Sequence, residues 1–264
     1  MKLYAYFKKL PEFQYGLLSG RIENYGEIVE CEILEKELFG MSDLAGKTIL
    51  DLGSGPGSWS LVFGMAGAHV IGIECDKRQI EFATKNQRAV KVDNVIFHEC
   101  QAQKWLSDTL SESYDYVFLQ HSFEHMDMPM FVVSEVFRVL KPSGRVWIAL
   151  PNKDSVLRSN GEGHVGDYSM QDLEKMFSQF KLVYKTFIYT PVQCEAMRAI
   201  DGWRRTDNLV QRALSYISLA GIYRWFSGPF IRGINKGINS RYWKFKALDD
   251  NSPVNEQIYM VMEK

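Results

Sequence analysis

Two groups of residues in this 264-residue chain have the types and spacing to do chemistry. The first is Asp51-Leu52-Gly53-Ser54-Gly55-Pro56-Gly57, with Glu74 standing 21 residues after Gly53. Gly53, Gly55 and Gly57 carry no Cβ and tolerate positive φ, so a ligand can approach the backbone closely. A helix-compatible segment opens at Ser58, and its N–H groups and the positive end of its dipole would point into the same crevice. A carboxylate about 20 residues beyond such a loop is placed to accept hydrogen bonds from two adjacent ribose hydroxyls. Asp51 sets the sign of charge the loop prefers: an anion two residues before the first glycine repels a pyrophosphate and favours an ammonium group. The spacing is also G-x-G-x-G, without the final glycine of the dinucleotide fingerprint G-x-G-x-x-G. A nucleoside with a cationic end is the ligand this group implies.

The second group centres on histidine, which titrates near neutrality and suits general-base work on an oxygen nucleophile. His121-Ser122-Phe123-Glu124-His125 follows a strand-like run, and His164 lies in Gly161-Glu162-Gly163-His164-Val165-Gly166. His121 is closest to the strand end and is the first candidate for a base; His164 is the second, and His125 completes the candidate catalytic set. His69 and His98 fall in or beside strand-like runs and read as structural. His121-x-x-Glu124-His125 could also ligate a divalent metal by type and spacing. Such a cluster at a strand end more often makes a hydrogen-bonded rim, so no metal is expected.

The elements that must position these residues alternate regularly from Lys47 onward. Strand-like runs lie at Thr48–Leu52, His69–Ile73, Val95–His98, Tyr116–Leu119 and Arg145–Leu150. Helix-compatible stretches separate them near Ser58–Gly67, Lys77–Val90, Gln103–Leu110 and Met128–Leu140. Apolar strands separated by helices call for a parallel sheet covered on both faces. Pro142-Ser143-Gly144 is read as a turn into the fifth run. Ser169-Met170-Gln171-Asp172 resembles a capping box opening a helix to about Phe180. Lys181–Phe187 and Asn255–Met262 read as two more strands, and the roughly 65 residues between them are far too many for a hairpin. Before the sheet, a helix is expected from about Glu23 to Phe39, with Ile28, Ile33, Leu34 and Leu38 on its apolar stripe and Gly40 as its stop.

Composition excludes several classes. Hydrophobic content of 46%, charged content of 24% and a net charge of −1 are those of an ordinary globular protein, with no global case for nucleic-acid binding. Cys31, Cys75, Cys100 and Cys194 form no C-x-x-C pair, which argues against a zinc knuckle or redox dithiol. No run reaches the 18 or so apolar residues of a membrane span, and the first residues lack a signal-peptide pattern, so a cytoplasmic protein is the expectation. Charge is uneven, however. Residues 197–246 hold ten Lys or Arg against Asp201 and Asp207, a balance of +8, with Trp and Tyr interleaved. A basic amphipathic segment of this kind suits an anionic membrane surface or a phosphorylated or lipid-linked ligand, and equally a lid with a solvated basic face.

Taken together, ILDLGSGPGS, VIGIECD, Val95–Ala102, the run Asp115–Met126 ending in Glu124-His125, and Phe137–Gly144 followed by Leu150-Pro151-Asn152 resemble the class I S-adenosylmethionine-dependent methyltransferases of the small-molecule, type 11-like group. The resemblance runs from about Gly46 to Phe187 and returns at the last strand. It implies a Rossmann-like, doubly wound α/β fold with a mostly parallel seven-stranded sheet and a helical insertion before the last strand. Residues 46–191 and 253–264 would form the cofactor domain, 1–45 an N-terminal helical arm or cap, and 192–252 the basic insertion. The resemblance also implies S-adenosyl-L-methionine as cofactor. Asp51 and the backbone of Gly53, Ser54, Gly55 and Gly57 would hold its methionyl end, Glu74 the ribose, Cys75 the adenine face, Gln101 and Ala102 the adenine edge, and Gln120 the methionine part. Gln101 stands where the family usually has an acid, and Ser143 where it usually has a glycine. His125 with Glu124 matches a pair that often has a scaffolding role, and broader relatives use such groups for metals. The expected reaction is methyl transfer, to an oxygen of a small-molecule, lipid-linked or glycan acceptor, with peripheral membrane contact through 205–240. A nucleic-acid methyltransferase is disfavoured because no N-P-P-[YF]-type motif follows the fourth strand. A non-catalytic scaffold is the remaining alternative.

Overall fold

The computed structural model describes residues 2–10, 30–155, 163–188 and 257–264. The insertion expected at 192–252, Cys194 and residues 23–29 of the expected N-terminal helix lie outside the described residues. Seven strands form one sheet: β1 Thr48–Leu52, β2 His69–Glu74, β3 Val95–Glu99, β4 Tyr114–Gln120, β5 Leu140–Pro151, β6 Lys181–Ile188 and β7 Gln257–Glu263. Their order is β3-β2-β1-β4-β5-β7-β6. Strands β1 to β5 are mutually parallel, and β7 runs antiparallel to both β5 and β6. The mostly parallel, doubly wound α/β arrangement expected from the alternation is thus observed. The chain steps outward from β1 to β3 and then returns to β4 on the other side of β1, which opens a crevice at the carboxyl ends of β1 and β4.

The described helices are α1 Lys2–Phe7, α2 Ser58–Met65, α3 Lys77–Val90, α4 Ala102–Asp108, α5 Pro129–Val139 and α6 Met170–Met176. Side chains alternate between the two faces of each strand, which explains the continuous apolar runs of the central strands. Leu50, Leu52, Val117, Leu119, Val146, Ile148 and Leu150 pack with Val132, Val133, Val136 and Val139 of α5 on one face. Ile49, Phe118, Trp147, Ala149 and Val261 pack with Leu61, Val62 and Phe63 of α2 on the other, where Leu34 and Leu38 join them. Asp76 caps α3 by accepting from the Arg78 N–H. Ser169 and Asp172 make the reciprocal capping box of α6.

Two boundaries differ from expectation. The Pro142-Ser143-Gly144 turn is absorbed into β5, which begins at Leu140. Tyr114 pairs with Leu140 but Tyr116 with Arg145, so the intervening residues form a bulge that keeps both ends of β5 in register with β4. Helix α6 ends at Met176 rather than near Phe180, because Phe177 and Phe180 turn into the core. The N-terminal helix is described from residue 30 and finishes in a single π turn, Leu34–Leu38.

Candidate active site

At the carboxyl ends of β1, β2 and β4 lies a cavity of about 550 Å³, within the range of small-molecule sites. Asp51 of β1, the backbone of Gly53, Ser54 and Gly55, Glu74 of β2, and Gln120 and His121 at the end of β4 all line it. Trp59 of α2, Gln79 of α3, Phe7 of α1 and Glu30 complete the wall. The glycine loop takes the conformation its composition allows, with φ of +78° at Gly53 and +51° at Gly55. A Cβ on Gly53 would lie 2.4 Å from Ser122 Cβ, whereas one on Gly55 would meet nothing within 4 Å. Gly53 therefore lets the loop pass under the β4 turn, and Gly55 leaves open space toward a ligand.

The floor of the cavity is electrostatically unfinished. Asp51 is 2% exposed and accepts a 2.6 Å bond from Ser60 Oγ. Burial raises its pKa to about 7, Glu74 adds to the rise, and the Ser60 bond only partly offsets it. A cation would relieve this carboxyl. Ser54 Oγ is buried at the same wall with no hydrogen-bond partner among the described residues. The Glu74 carboxylate is held by backbone: Oε2 accepts from the Gly55 N–H at 3.0 Å, and Oε1 from Cys75 and Asp76 at 2.8 and 2.9 Å. Those bonds fix its direction and leave lone pairs for hydroxyl donors. Gln120 is engaged at both ends, accepting from Trp147 Nε1 at 2.7 Å and donating to Glu30 Oε1 at 3.0 Å. Tyr259 Oη donates to the same Glu30 oxygen. Burial outweighs these partners and raises the Glu30 pKa.

His121 sits at a left-handed φ of +50°, held by its N–H on the Ala149 carbonyl at 2.8 Å. Its Nδ1 lies 3.8 Å from Glu124 Oε1. Burial alone would lower the imidazole pKa, but the bond to Glu124 and the charges of Glu30 and Glu124 leave it raised. His125 and His164 do not line the cavity. Their rings meet edge to face at 4.9 Å, and His125 Nδ1 bonds the Gly163 carbonyl at 2.9 Å. Among the described residues the metal-capable cluster is accordingly Glu124, His125 and His164, whose ligand atoms lie within 4.8 Å of one another. The set read from spacing, with His121 in place of His164, is not the one the fold assembles, because His121 turns toward the cavity.

Asp51, Gly53, Ser54, Gly55, Glu74 and Gln120 are thus brought together. Gly57 instead opens α2, at φ +82°, against Phe97. Cys75, Gln101 and Ala102 follow β2 and β3 and lie outside the cavity lining. Sequence reasoning missed Glu30, Phe7, Trp59 and Gln79. Glu30 left one trace: it falls four residues before Leu34 and eight before Leu38, so it puts a carboxylate on an apolar stripe.

The profile of a family described as a methyltransferase domain matches residues 43–213. A ubiquinone biosynthesis O-methyltransferase of Pseudomonas fluorescens (strain Pf0-1) is 32% identical over 112 residues, which is 42% of this chain and 47% of that protein. An uncharacterized methyltransferase of Mycobacteroides abscessus is 31% identical over 101 residues, 38% of each chain. The chain therefore spans about half the length of the first of these curated relatives, and less of the second. A solved SAM dependent methyltransferase from Archaeoglobus fulgidus superposes with a TM-score of 0.57 at 17% identity, covering 95% of this chain and 99% of that one. At that identity the likeness is one of fold.

Proposed function

Because this chain belongs to the class I S-adenosylmethionine-dependent methyltransferases, we propose that it methylates an oxygen of a small-molecule acceptor, with His121 as the base. The observation that carries this reading is the single cavity on which Asp51, the glycine loop, Glu74 and His121 converge. The site fits the cofactor: a buried carboxyl with a raised pKa suits the methionyl ammonium, and the fixed Glu74 suits the ribose diol. The orphaned Ser54 hydroxyl and the open space at Gly55 suit close approach of a ligand to the loop. Bound there, S-adenosylmethionine supplies a sulfonium methyl that is already electrophilic.

The chain's own residues then align and deprotonate. Asp51 and the backbone from Gly53 to Gly55 hold the amino-acid end, Glu74 orients the ribose, and Gln120 is a positioning residue between Trp147 and Glu30. Cys75, Gln101 and Ala102 are assigned to the adenine side, beyond the cavity wall. Alignment supplies most of the rate, since the nucleophile need only be held in line and shielded from water. His121, alone of the three candidate histidines in lining the cavity, would take the acceptor's O–H proton on its imidazole. Oxygen as the accepting atom is supported by the relative from ubiquinone biosynthesis. His121→Ala should lower turnover roughly 100-fold or more, as loss of a general base does, while leaving cofactor affinity within about twofold. Full turnover in that variant would remove His121 as the base. The +8 balance of residues 197–246 supports a lipid-linked or anionic acceptor met at a membrane surface through 205–240. Co-sedimentation with phosphatidylglycerol vesicles tests this, and no lipid-dependent pelleting would count against it. Among the described residues no helix is long and apolar enough to cross a membrane.

A further inference from the structure

We propose that Glu124, His125 and His164 form a binding site for one divalent transition-metal ion beside the turn that follows β4. The three side chains come from two segments, the turn after β4 and the loop at 163–167. The backbone welds these together: the Glu124 carbonyl accepts from the Val165 and Gly166 N–H groups at 2.8 and 3.0 Å. One ligand atom from each residue lies within 4.8 Å of the other two. Closure onto an ion at about 2.1 Å brings such atoms to roughly 3–3.5 Å of one another, a small movement for the exposed His125 ring.

The second observation is independent of that proximity. The Glu124 side chain is only 3% exposed, and its Oε2 has no hydrogen-bond partner among the described residues. A carboxyl oxygen buried without a donor is costly, and a cation is a partner that removes the cost. The histidines are also prepared as ligands. A carbonyl can only accept, so the 2.9 Å contact of His125 Nδ1 with Gly163 O puts the proton on Nδ1 and the lone pair on Nε2. His164, 13% exposed, has its Nδ1 3.7 Å from Asp167 Oδ1, so a carboxylate stands close behind the ring though not in hydrogen-bond contact with it.

Two imidazoles and one carboxylate suit Zn²⁺, Co²⁺ or Fe²⁺ rather than Ca²⁺ or Mg²⁺, and leave coordination positions open. Glu124 Oε1 faces His121 at 3.8 Å, so the ion stands one carboxylate away from the residue that lines the cavity.

The test uses the full chain, tag-free and stripped with a chelator, titrated with Co²⁺ and followed by its visible d–d absorption. One Co²⁺ per chain is expected, and His125→Ala and His164→Ala should each weaken binding at least about tenfold. Glu124→Gln keeps the shape and should do the same. Because Glu124 is buried, that variant's fold is checked by its melting curve, and the two histidine variants carry the test if it unfolds. Absence of stoichiometric cobalt in the wild type, or wild-type affinity in both histidine variants, overturns the site. S-adenosylmethionine binding heat measured on the same samples separates the two readings. Heat without cobalt sinks the metal site and leaves the methyltransferase reading standing; cobalt without heat supports the metal site and counts against the cofactor assignment.

Discussion

The sheet carries a buried or half-buried aspartate at each end of the β1–β4 pair, and the fold treats the two in opposite ways. At the amino end, Asp115 of β4 accepts from Lys141 Nζ at 2.7 Å, from the Thr48 N–H at 2.9 Å and from Thr48 Oγ1 at 2.8 Å. Burial there works to raise its pKa, but Lys141 and Thr48 more than reverse it, and the carboxyl is held well below its usual range. At the carboxyl end, three residues along β1 from Thr48, Asp51 has Ser60 and, among the described residues, no cation, and its pKa rises to about 7. The same end holds the hydroxyls of Ser54 and Ser122 and an oxygen of Glu124, all without a hydrogen-bond partner among the described residues. Satisfied polar groups rigidify, whereas unsatisfied ones mark where the molecule expects something it does not itself contain. The amino end is built for stability and the carboxyl end for binding.

Exchanging the carboxylates for amides should break this contrast in two directions. Asp51→Asn removes the charge that a ligand ammonium would pair with, and should weaken S-adenosylmethionine binding roughly 100-fold by calorimetry, about 2.7 kcal/mol. Its melting temperature should hold or rise, because the amide needs no counter-charge in the empty site. Asp115→Asn should do the reverse. It deprives Lys141 and Thr48 of a shared charged acceptor, costing about 2 kcal/mol and lowering Tm by roughly 5 °C in a chain of this size. Cofactor affinity should stay within about twofold. A variant of either residue that lost both properties together would dissolve the distinction.

How much of this was legible without coordinates follows the same division. The strands, the glycine loop and Glu74 were readable because each is signalled within one short stretch: apolar runs of strand length, Gly at alternate positions, an acid at a fixed offset. The bulge in β5 was not, since Lys141–Gly144 reads locally as a turn and only its pairing with β4 extends the strand back to Leu140. Glu30 meets Gln120 across 90 residues and Tyr259 across 229, and no local pattern encodes such a meeting. The histidine rim shows the limit most clearly. Spacing grouped His121 with Glu124 and His125, but the left-handed turn at His121 sends that ring into the cavity, and the Val165 and Gly166 bonds deliver His164 in its place.

The two aspartates should also respond to pH with opposite signs, which sharpens the comparison without touching the fold. Asp115 has a folded pKa below its unfolded value of 3.8, so its contribution is present above that value and is lost as pH falls through the folded one. Asp51 has a folded pKa near 7 against 3.8 unfolded, so between these limits the native state holds more protons than the unfolded chain. Its contribution to the stability of the empty protein therefore declines as pH rises from about 4 to 7. Binding runs the other way. A ligand ammonium needs the ionised carboxylate, so below pH 7 each unit of acid should weaken cofactor affinity up to about tenfold, with a plateau above. Calorimetry between pH 5.5 and 7.5 on wild type and Asp51→Asn isolates the effect, because only the wild type should show the slope. A slope that persisted in Asp51→Asn would place the titrating group elsewhere and return Asp51 to a structural role.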